Sequence, residues 1–383
     1  MGREKVLCTM SFPGILFPLT YAIYFHNKFI SDLANSDDIL YNSFLTSLKI
    51  TSPIFLLLII LLYFFSVQIG GPLLYIFFSF MGYLVNLFNS SIIIIIFGII
   101  FNISLFEEYK LYIYYGLALL MSIYGHIRAE RICLDEVEIL VPQWKEEENA
   151  KVKIAHLSDL HLCPIYGKKL VEKIVNKLNS IKDIYFIVLT GDVVDGDIFD
   201  NKITSDILSP FKNSKYKIYY VSGNHEEFTD KNRLFLLLQE AGIIHLSNKV
   251  EIFEKYKLNL IGIDYDKNYK KVKNELIPEL CNYASEKNKY INVAICHIPF
   301  FKPKDLVKYD IFLFLCGHIH GGKCFPFTLI KFFFGRWLTV IIEGLYSFKD
   351  KYFVYCCSGT GTSGPNSRCF VGANIGLITI EGN

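Results

Sequence analysis

The sequence predicts two parts: an α-helical membrane bundle of about four transmembrane helices, then an α/β domain, a sandwich with a mixed sheet. Three observations carry this. From Thr51 to Phe106 there is no Asp, Glu, Lys, Arg or His, a run more than twice the roughly 20 residues that one bilayer crossing takes. At Arg128 the composition turns mixed and charged, in "RAERICLDEVEILVPQWKEEENA". From Lys151 onward, short apolar runs alternate with stretches of helical period.

The bundle divides into four crossings, Val6–Phe25, Leu48–Val67, Leu73–Ile100 and Leu111–Ile127. Pro13 and Pro18 interrupt the first, and Gly70, Gly71 and Pro72 make the turn before the third. Arg3 and Lys5 precede the first segment, and Arg128 and Arg131 follow the fourth, whereas the intervening loops carry Asp32, Asp37, Asp38, Glu107 and Glu108. By the positive-inside rule both termini are expected to be cytoplasmic, in an integral protein of the cell membrane. No ionisable residue marks an ion path through the long apolar run, so the bundle reads as an anchor and not as a transporter. The expected division is an anchor over 1–131, a linker over 132–150 and a catalytic domain over 151–383.

In the second part, "KVKIAHL", "IYFIVL", "KIYYVS", "LNLIGI", "INVAIC" and "IFLFLC" read as buried strands, apolar on both faces as parallel strands are. "GKKLVEKIVNKLNSI" and "DKNRLFLLLQEAGI" carry the helix period. The net charge is only +2, which leaves no electrostatic footprint for nucleic acid. Ten cysteines are scattered without a CxxC pair, so a disulfide framework or thiolate metal site is not indicated. Cys296 and Cys316 read instead as small buried apolar residues of a reducing compartment.

Function is written where these strands end. Asp159-Leu160-His161 follows the first, and Gly191-Asp192-Val193-Val194-Asp195 the second. Gly223-Asn224-His225-Glu226, His297-Ile298-Pro299 and Gly317-His318-Ile319-His320-Gly321-Gly322 close three more. Five of the nine histidines lie in these loops. Ligands of open α/β sheets bind outside the carboxyl ends of the strands, so the loops are expected to converge. On an extended strand end, Asp159 and His161 point to one side, as do His318 and His320, each of the latter reaching a different ion. A carboxylate such as Asp192 can bridge two cations. Imidazole, carboxylate and amide oxygen without thiolate suit two divalent ions of the Mn, Fe or Zn kind and not Ca.

The motifs DLH, GDVVD, GNHE, a lone His after a strand, and GHIH resemble the calcineurin-like metallophosphoesterase superfamily across 151–383. "GHIHGGK" followed by "PF", with "GLYSFKDKYFVYCCSGTGTSGPNSR" further on, is similar to the transmembrane proteins with a metallophosphoesterase domain. The resemblance implies a four-layer α/β/β/α sandwich with mixed sheets. It implies a first metal held by Asp159, His161, Asp192 and His320, and a second held by Asp192, Asn224, His297 and His318. It also implies that His225 protonates the leaving oxygen or stabilises phosphoryl charge, with Asp195 orienting a ligand. Ile319 stands where the family usually has Thr, and Lys323 where it commonly has Gln.

The expected activity is hydrolysis of a phosphodiester or pyrophosphate by a membrane-anchored, dinuclear-metal enzyme. The alternatives are a non-catalytic membrane receptor or scaffold with a structural metal site, and a transporter with a regulatory domain. Ligand completeness and the presence of His225 favour the enzyme. The run "CFPFTLIKFFFGRWLTVIIEGLY", Cys324 to Tyr346, reads either as core strand and helix or as an interfacial flap. In the second reading Phe332, Phe333, Phe334 and Trp337 dip into lipid while Lys331 and Arg336 meet headgroups. A lipid-linked phosphoester is then the expected substrate, and the resemblance to membrane-bound members of the family implies one of the UDP-2,3-diacylglucosamine kind.

Overall fold

A computed structural model describes residues 110–141, 151–163, 167–195, 201–287, 290–322, 341–349, 351–364 and 366–382, with isolated positions between 79 and 97. The chain divides into two compact units, Met1–Ala129 with Gly364–Cys369, and Glu130–Ser363 with Phe370–Asn383.

In the first unit the described helix is α1, Lys110–Glu130. Tyr114 and Ala118 are buried, with Tyr83 and Ile94 packed against them, and Asn86 Nδ2 donates to Ser122 Oγ at 2.9 Å. The predicted membrane bundle is not supported. Among the described residues no helix is long and apolar enough to cross a membrane. α1 occupies the fourth expected crossing, 111–127, but carries Tyr114, Tyr115, Tyr124 and His126 in its length, with Arg128 near its end. The first two expected crossings lie outside the described residues, as does the third apart from isolated positions.

Among its described residues the second unit holds two six-stranded mixed sheets. The first contains β1 (Ile132–Val141), β2 (Lys151–Leu157), β3 (Ile184–Thr190), β4 (Lys217–Val221), β5 (Ile243–His245) and β12 (Ala373–Gly382), ordered β1-β12-β2-β3-β4-β5. The second contains β6 (Lys249–Phe253), β7 (Leu258–Ile263), β8 (Ile291–Cys296), β9 (Ile311–Cys316), β10 (Gly344–Phe348) and β11 (Tyr352–Cys356), ordered β10-β11-β9-β8-β7-β6. β2, β3, β4 and β5 run parallel, as do β7, β8, β9 and β11. Antiparallel partners β12, β6 and β10 border these runs.

Alternating side chains build three apolar layers, as a strand's period of two requires. Val152 and Ile154 of β2 enter the layer between the sheets, with Val293 and Ile295 of β8 and Leu313 and Leu315 of β9. Ala155 and Leu157 face the other way, onto α2 (Gly167–Ser180) and α4 (Lys231–Glu240). Ala294 and Cys296 face α5 (Ile277–Lys287) and α6 (Pro303–Lys308), with α3 (Asn201–Leu208) lying on the first side. The expected α/β/β/α layering is present.

Val171, Ile174, Val175 and Leu178 form the buried stripe of α2 at the spacing of one helix face. Asp230 caps α4 by accepting from the Arg233 N–H, the usual service of an N-cap carboxylate. One boundary differs from expectation. Ile132–Val141, read as linker, is strand β1, paired in parallel with β12. Its Asp135, Glu136 and Glu138 obscure the period in the sequence, while Ile139 and Val141 are buried between the sheets. The apolar run read as a flap falls largely in 323–340, outside the described residues; of its far end, Ile341 and Ile342 are buried.

Candidate metal centre

The carboxyl ends of β2, β3, β4, β8 and β9 meet at one place. The ladder between β2 and β3 continues beyond the strands through Asp159 N–H to Gly191 O (3.1 Å), His161 N–H to Asp192 O (3.0 Å) and Leu162 N–H to Val193 O (2.8 Å). The first two motifs are thereby held side by side.

Among the described residues three groups of potential ligand atoms result: Asp159, His161 and His320; His161, Asp192 and His225; and Asp192, His297 and His318. His161 Nε2 lies 3.2 Å from His320 Nε2. His297 Nε2 lies 3.1 Å from His318 Nδ1 and 3.0 Å from Asn224 Oδ1. Every residue expected in the two ligand sets is therefore brought in, and His318 and His320 do serve different groups. His225, expected to be no ligand, is grouped by distance with His161 and Asp192.

The extended-strand argument for these pairs does not hold. Asp159 (φ 52°), His161 (φ 45°), Asp192 (φ 50°), His318 (φ 72°) and His320 (φ 51°) all have left-handed backbone. Such residues sit there at a cost of roughly 1–3 kcal/mol each, and persist where the surroundings over-determine them. Tight turns, not the alternation of a strand, aim these side chains together.

The surroundings leave selected atoms free to bind. Asp159 Oδ2 accepts from Ser158 Oγ (2.5 Å) and from the His318 N–H (3.0 Å), while its buried Oδ1 makes no hydrogen bond. Asp192 Oδ1 accepts from the His225 N–H (2.8 Å), and its Oδ2 faces His297 Nε2 at 3.1 Å. His297 Nδ1 donates to the Thr190 carbonyl at 2.8 Å, which fixes the tautomer and leaves Nε2 toward the site. An orphaned buried carboxylate oxygen amid imidazole nitrogens at contact distance is the donor set a cation fits.

Charge coupling is strong. Burial alone would raise Asp192, but the imidazolium and hydrogen bond of His297 hold its carboxyl well below the usual range. Burial would pull His297 down, yet Asp192 pushes it up to about 10. A cation bound here must displace that proton. Asp195 Oδ1 accepts from His225 Nδ1 at 2.9 Å and lies 3.5 Å from His161 Nδ1. Burial would raise it, but the His161 and His225 imidazoles beside it hold it below the carboxylate range. Burial would lower His225, but its hydrogen bond to Asp195 and the charge of Asp192 outweigh this and bring it to about 8.

Residues 152–322 match the family model for calcineurin-like phosphoesterases. This part of the chain is similar to calcineurin-like phosphoesterase domains. The chain is 29% identical over 252 residues to an uncharacterized metallophosphoesterase of Campylobacter jejuni, an alignment covering 64% of this chain and 62% of the relative. It is 27% identical to the Danio rerio transmembrane protein with metallophosphoesterase domain, over 68% of this chain and 60% of the relative. A metallophosphoesterase of Aquifex aeolicus is 26% identical over 70% of this chain and 98% of its own length. The chain spans about three-fifths of the length of the first two relatives.

Two contributors to this site were absent from the sequence reading. Ser158 aims Asp159, and a hydroxyl directly before the DLH motif was its available signal. His156 is fully buried behind the site, with Nε2 2.8 Å from Thr190 Oγ1; burial lowers it to about 3, so it stays neutral. Cys296, next to His297, is pushed up to about 12 by burial, which keeps the thiol protonated and out of any ligand set, as expected.

Proposed function

We propose that this chain is a dinuclear-metal-dependent phosphoesterase that hydrolyses a phosphodiester or pyrophosphate. The observation that carries the reading is Asp192 between two imidazole pairs: its Oδ2 lies 3.8 Å from His161 Nε2, itself 3.2 Å from His320 Nε2, and 3.1 Å from His297 Nε2, itself 3.1 Å from His318 Nδ1, while the His225 N–H holds its Oδ1. Asp159, His161, Asp192 and His320 would hold one divalent ion, and Asp192, Asn224, His297 and His318 the other, with Mn, Fe or Zn suited to the donors. When bound, such ions supply Lewis acidity toward phosphoryl oxygen and lower the pKa of water.

The chain's own groups do the rest. His225, 19% exposed at its side chain, presents Nε2 as a proton donor for the departing oxygen. Asp195 fixes the ring by accepting at Nδ1 and stabilises the imidazolium. The left-handed turns pre-position the ligands before substrate arrives, so little reorganisation is needed during reaction. A purely structural site would have no use for a partly exposed imidazole oriented in this way, which supports the enzyme over a receptor or scaffold.

For the substrate, the apolar and basic composition of Cys324–Tyr346 supports a lipid-linked phosphoester, of which UDP-2,3-diacylglucosamine is one. Buried thiols at Cys281, Cys296, Cys316, Cys356 and Cys357 support a reducing, cytoplasmic setting for the domain. The test is a hydrolysis panel with purified chain and Mn²⁺, comparing bis-aryl phosphodiesters, nucleotides and lipid pyrophosphates. Activity should vanish on chelation and return with Mn²⁺. Full-rate hydrolysis by the chelated protein would overturn the proposal, and a preference for soluble substrates would remove the lipid part alone.

A further inference from the structure

The GNHE motif ends in a side chain that the chemistry above does not use. Glu226 is completely buried. Its Oε2 accepts from the N–H of Asp192 (3.0 Å) and of Gly223 (2.6 Å), and its Oε1 from the N–H of Val193 (2.7 Å). The donors belong to two loops that follow different strands, β3 and β4. A carboxylate is an acceptor-only group with room for about four such bonds, and bonds to an ionised acceptor are the strong ones. The next residue shows the contrast: Glu227 pairs on the surface with Lys231 and Lys267.

What Glu226 grips is the backbone under the shared ligand. Asp192 is left-handed, a conformation uncommon outside glycine even though Asp enters it more readily than most residues. A Cβ on Gly223 would collide with Asp192 Oδ1 and the Asp192 nitrogen, so the two loops touch there without any spacer. Asn224 lies between Gly223, held by Glu226, and His225, whose N–H holds Asp192 Oδ1. One buried carboxylate therefore fixes the spacing between Asp192 and Asn224.

We propose that Glu226 is a positioning residue for the metal pair: it clamps the GDVVD and GNHE loops so that Asp192 and Asn224 stand at the separation the second ion requires. This rests on the metal-centre reading above. Partners of this kind behind a ligand are worth about 10- to 100-fold in metal affinity.

The experiment uses the full chain with Glu226→Gln, Glu226→Asp and, as control, Glu227→Gln. In metal-free protein, amide hydrogen exchange at Asp192, Val193 and Gly223 should accelerate in Glu226→Gln while the amides of β3 and β4 keep their protection. Titration with Mn²⁺ should show affinity reduced about 10- to 100-fold in Glu226→Gln and unchanged in Glu227→Gln. Wild-type Mn²⁺ affinity and stoichiometry in Glu226→Gln would overturn the proposal. Should that variant fail to fold, Glu226→Asp decides, since it keeps the charge but is one methylene too short to span all three amides. Weakened Mn²⁺ binding then supports the clamp, and wild-type binding overturns it. If the wild-type chain itself takes up no Mn²⁺, the metal reading fails, and the exchange rates alone decide whether Glu226 ties the two loops.

Discussion

The two sheets contribute unlike rims to the same site. From the first sheet come Asp159, His161 and Asp192, all buried, and each carboxylate has one oxygen tied by protein donors and the other turned inward. From the second come only imidazoles. His297 is buried and locked by the Thr190 carbonyl, but His318 and His320 are half-buried, on left-handed residues of a glycine turn. In the proposed centre the first rim would set charge and position, and the second would complete coordination and open to solvent. In a site of this kind, the depth of a ligand should predict how much its loss costs.

Asp192→Ala is the largest expected break in that scheme, because Asp192 belongs to two of the donor groups. Hydrolysis should fall below detection and bound Mn²⁺, measured by elemental analysis, should drop under one ion per chain. Retention of two ions would show that the carboxylate bridges nothing and that the second rim suffices. Removing His320 alone should leave one ion bound.

His225→Asn comes next. The backbone N–H that orients Asp192 survives the substitution, so metal content should stay near wild type. Turnover should fall by roughly 10²–10⁴, the range of a general-acid contribution. The pH profile sharpens the test. A residue that must be protonated loses function as pH rises through its pKa, here about 8 without cations, and bound cations move that limb lower. The variant should lack the alkaline limb that wild type shows. Loss of both ions would instead make His225 a ligand, as its distances to His161 and Asp192 would allow.

These contrasts explain what the sequence could and could not disclose. Each ligand sits within a few residues of an apolar strand, so DLH, GDVVD, GNHE and GHIH announce the donors and their convergence without coordinates. The backbone that aims them is silent, since left-handed Asp159, His161 and His318 break no pattern that periodicity detects. Glu226 is legible as a letter of GNHE, but its work lies in three amides spread over two loops. β1 was missed because Asp135, Glu136 and Glu138 looked like solvated linker, whereas Asp135 accepts from the Tyr355 hydroxyl at 2.7 Å. The membrane reading of α1 failed for a different reason. It counted charges, while tyrosine hydroxyls and an imidazole lower transfer energy without adding any.

The smallest expected effect lies where the rims join. Ser158 Oγ is 2.5 Å from Asp159 Oδ2 and 3.0 Å from the Thr190 carbonyl, and with one O–H to give, its proton goes to the nearer, ionised acceptor. Gly317 leaves room for this hydroxyl, because a Cβ there would strike it. In Ser158→Ala the Asp159 carboxylate keeps only the His318 N–H, so it can rotate toward or away from its cation. The expected loss is about tenfold in Mn²⁺ affinity, the low end for a removed outer partner. It should fall on the ion held by Asp159, His161 and His320, leaving the His297 and His318 position at wild-type affinity in a two-step titration. Equal weakening at both positions would mean that the rims move as one body, and that the division between a fixed first rim and an adaptable second one is wrong.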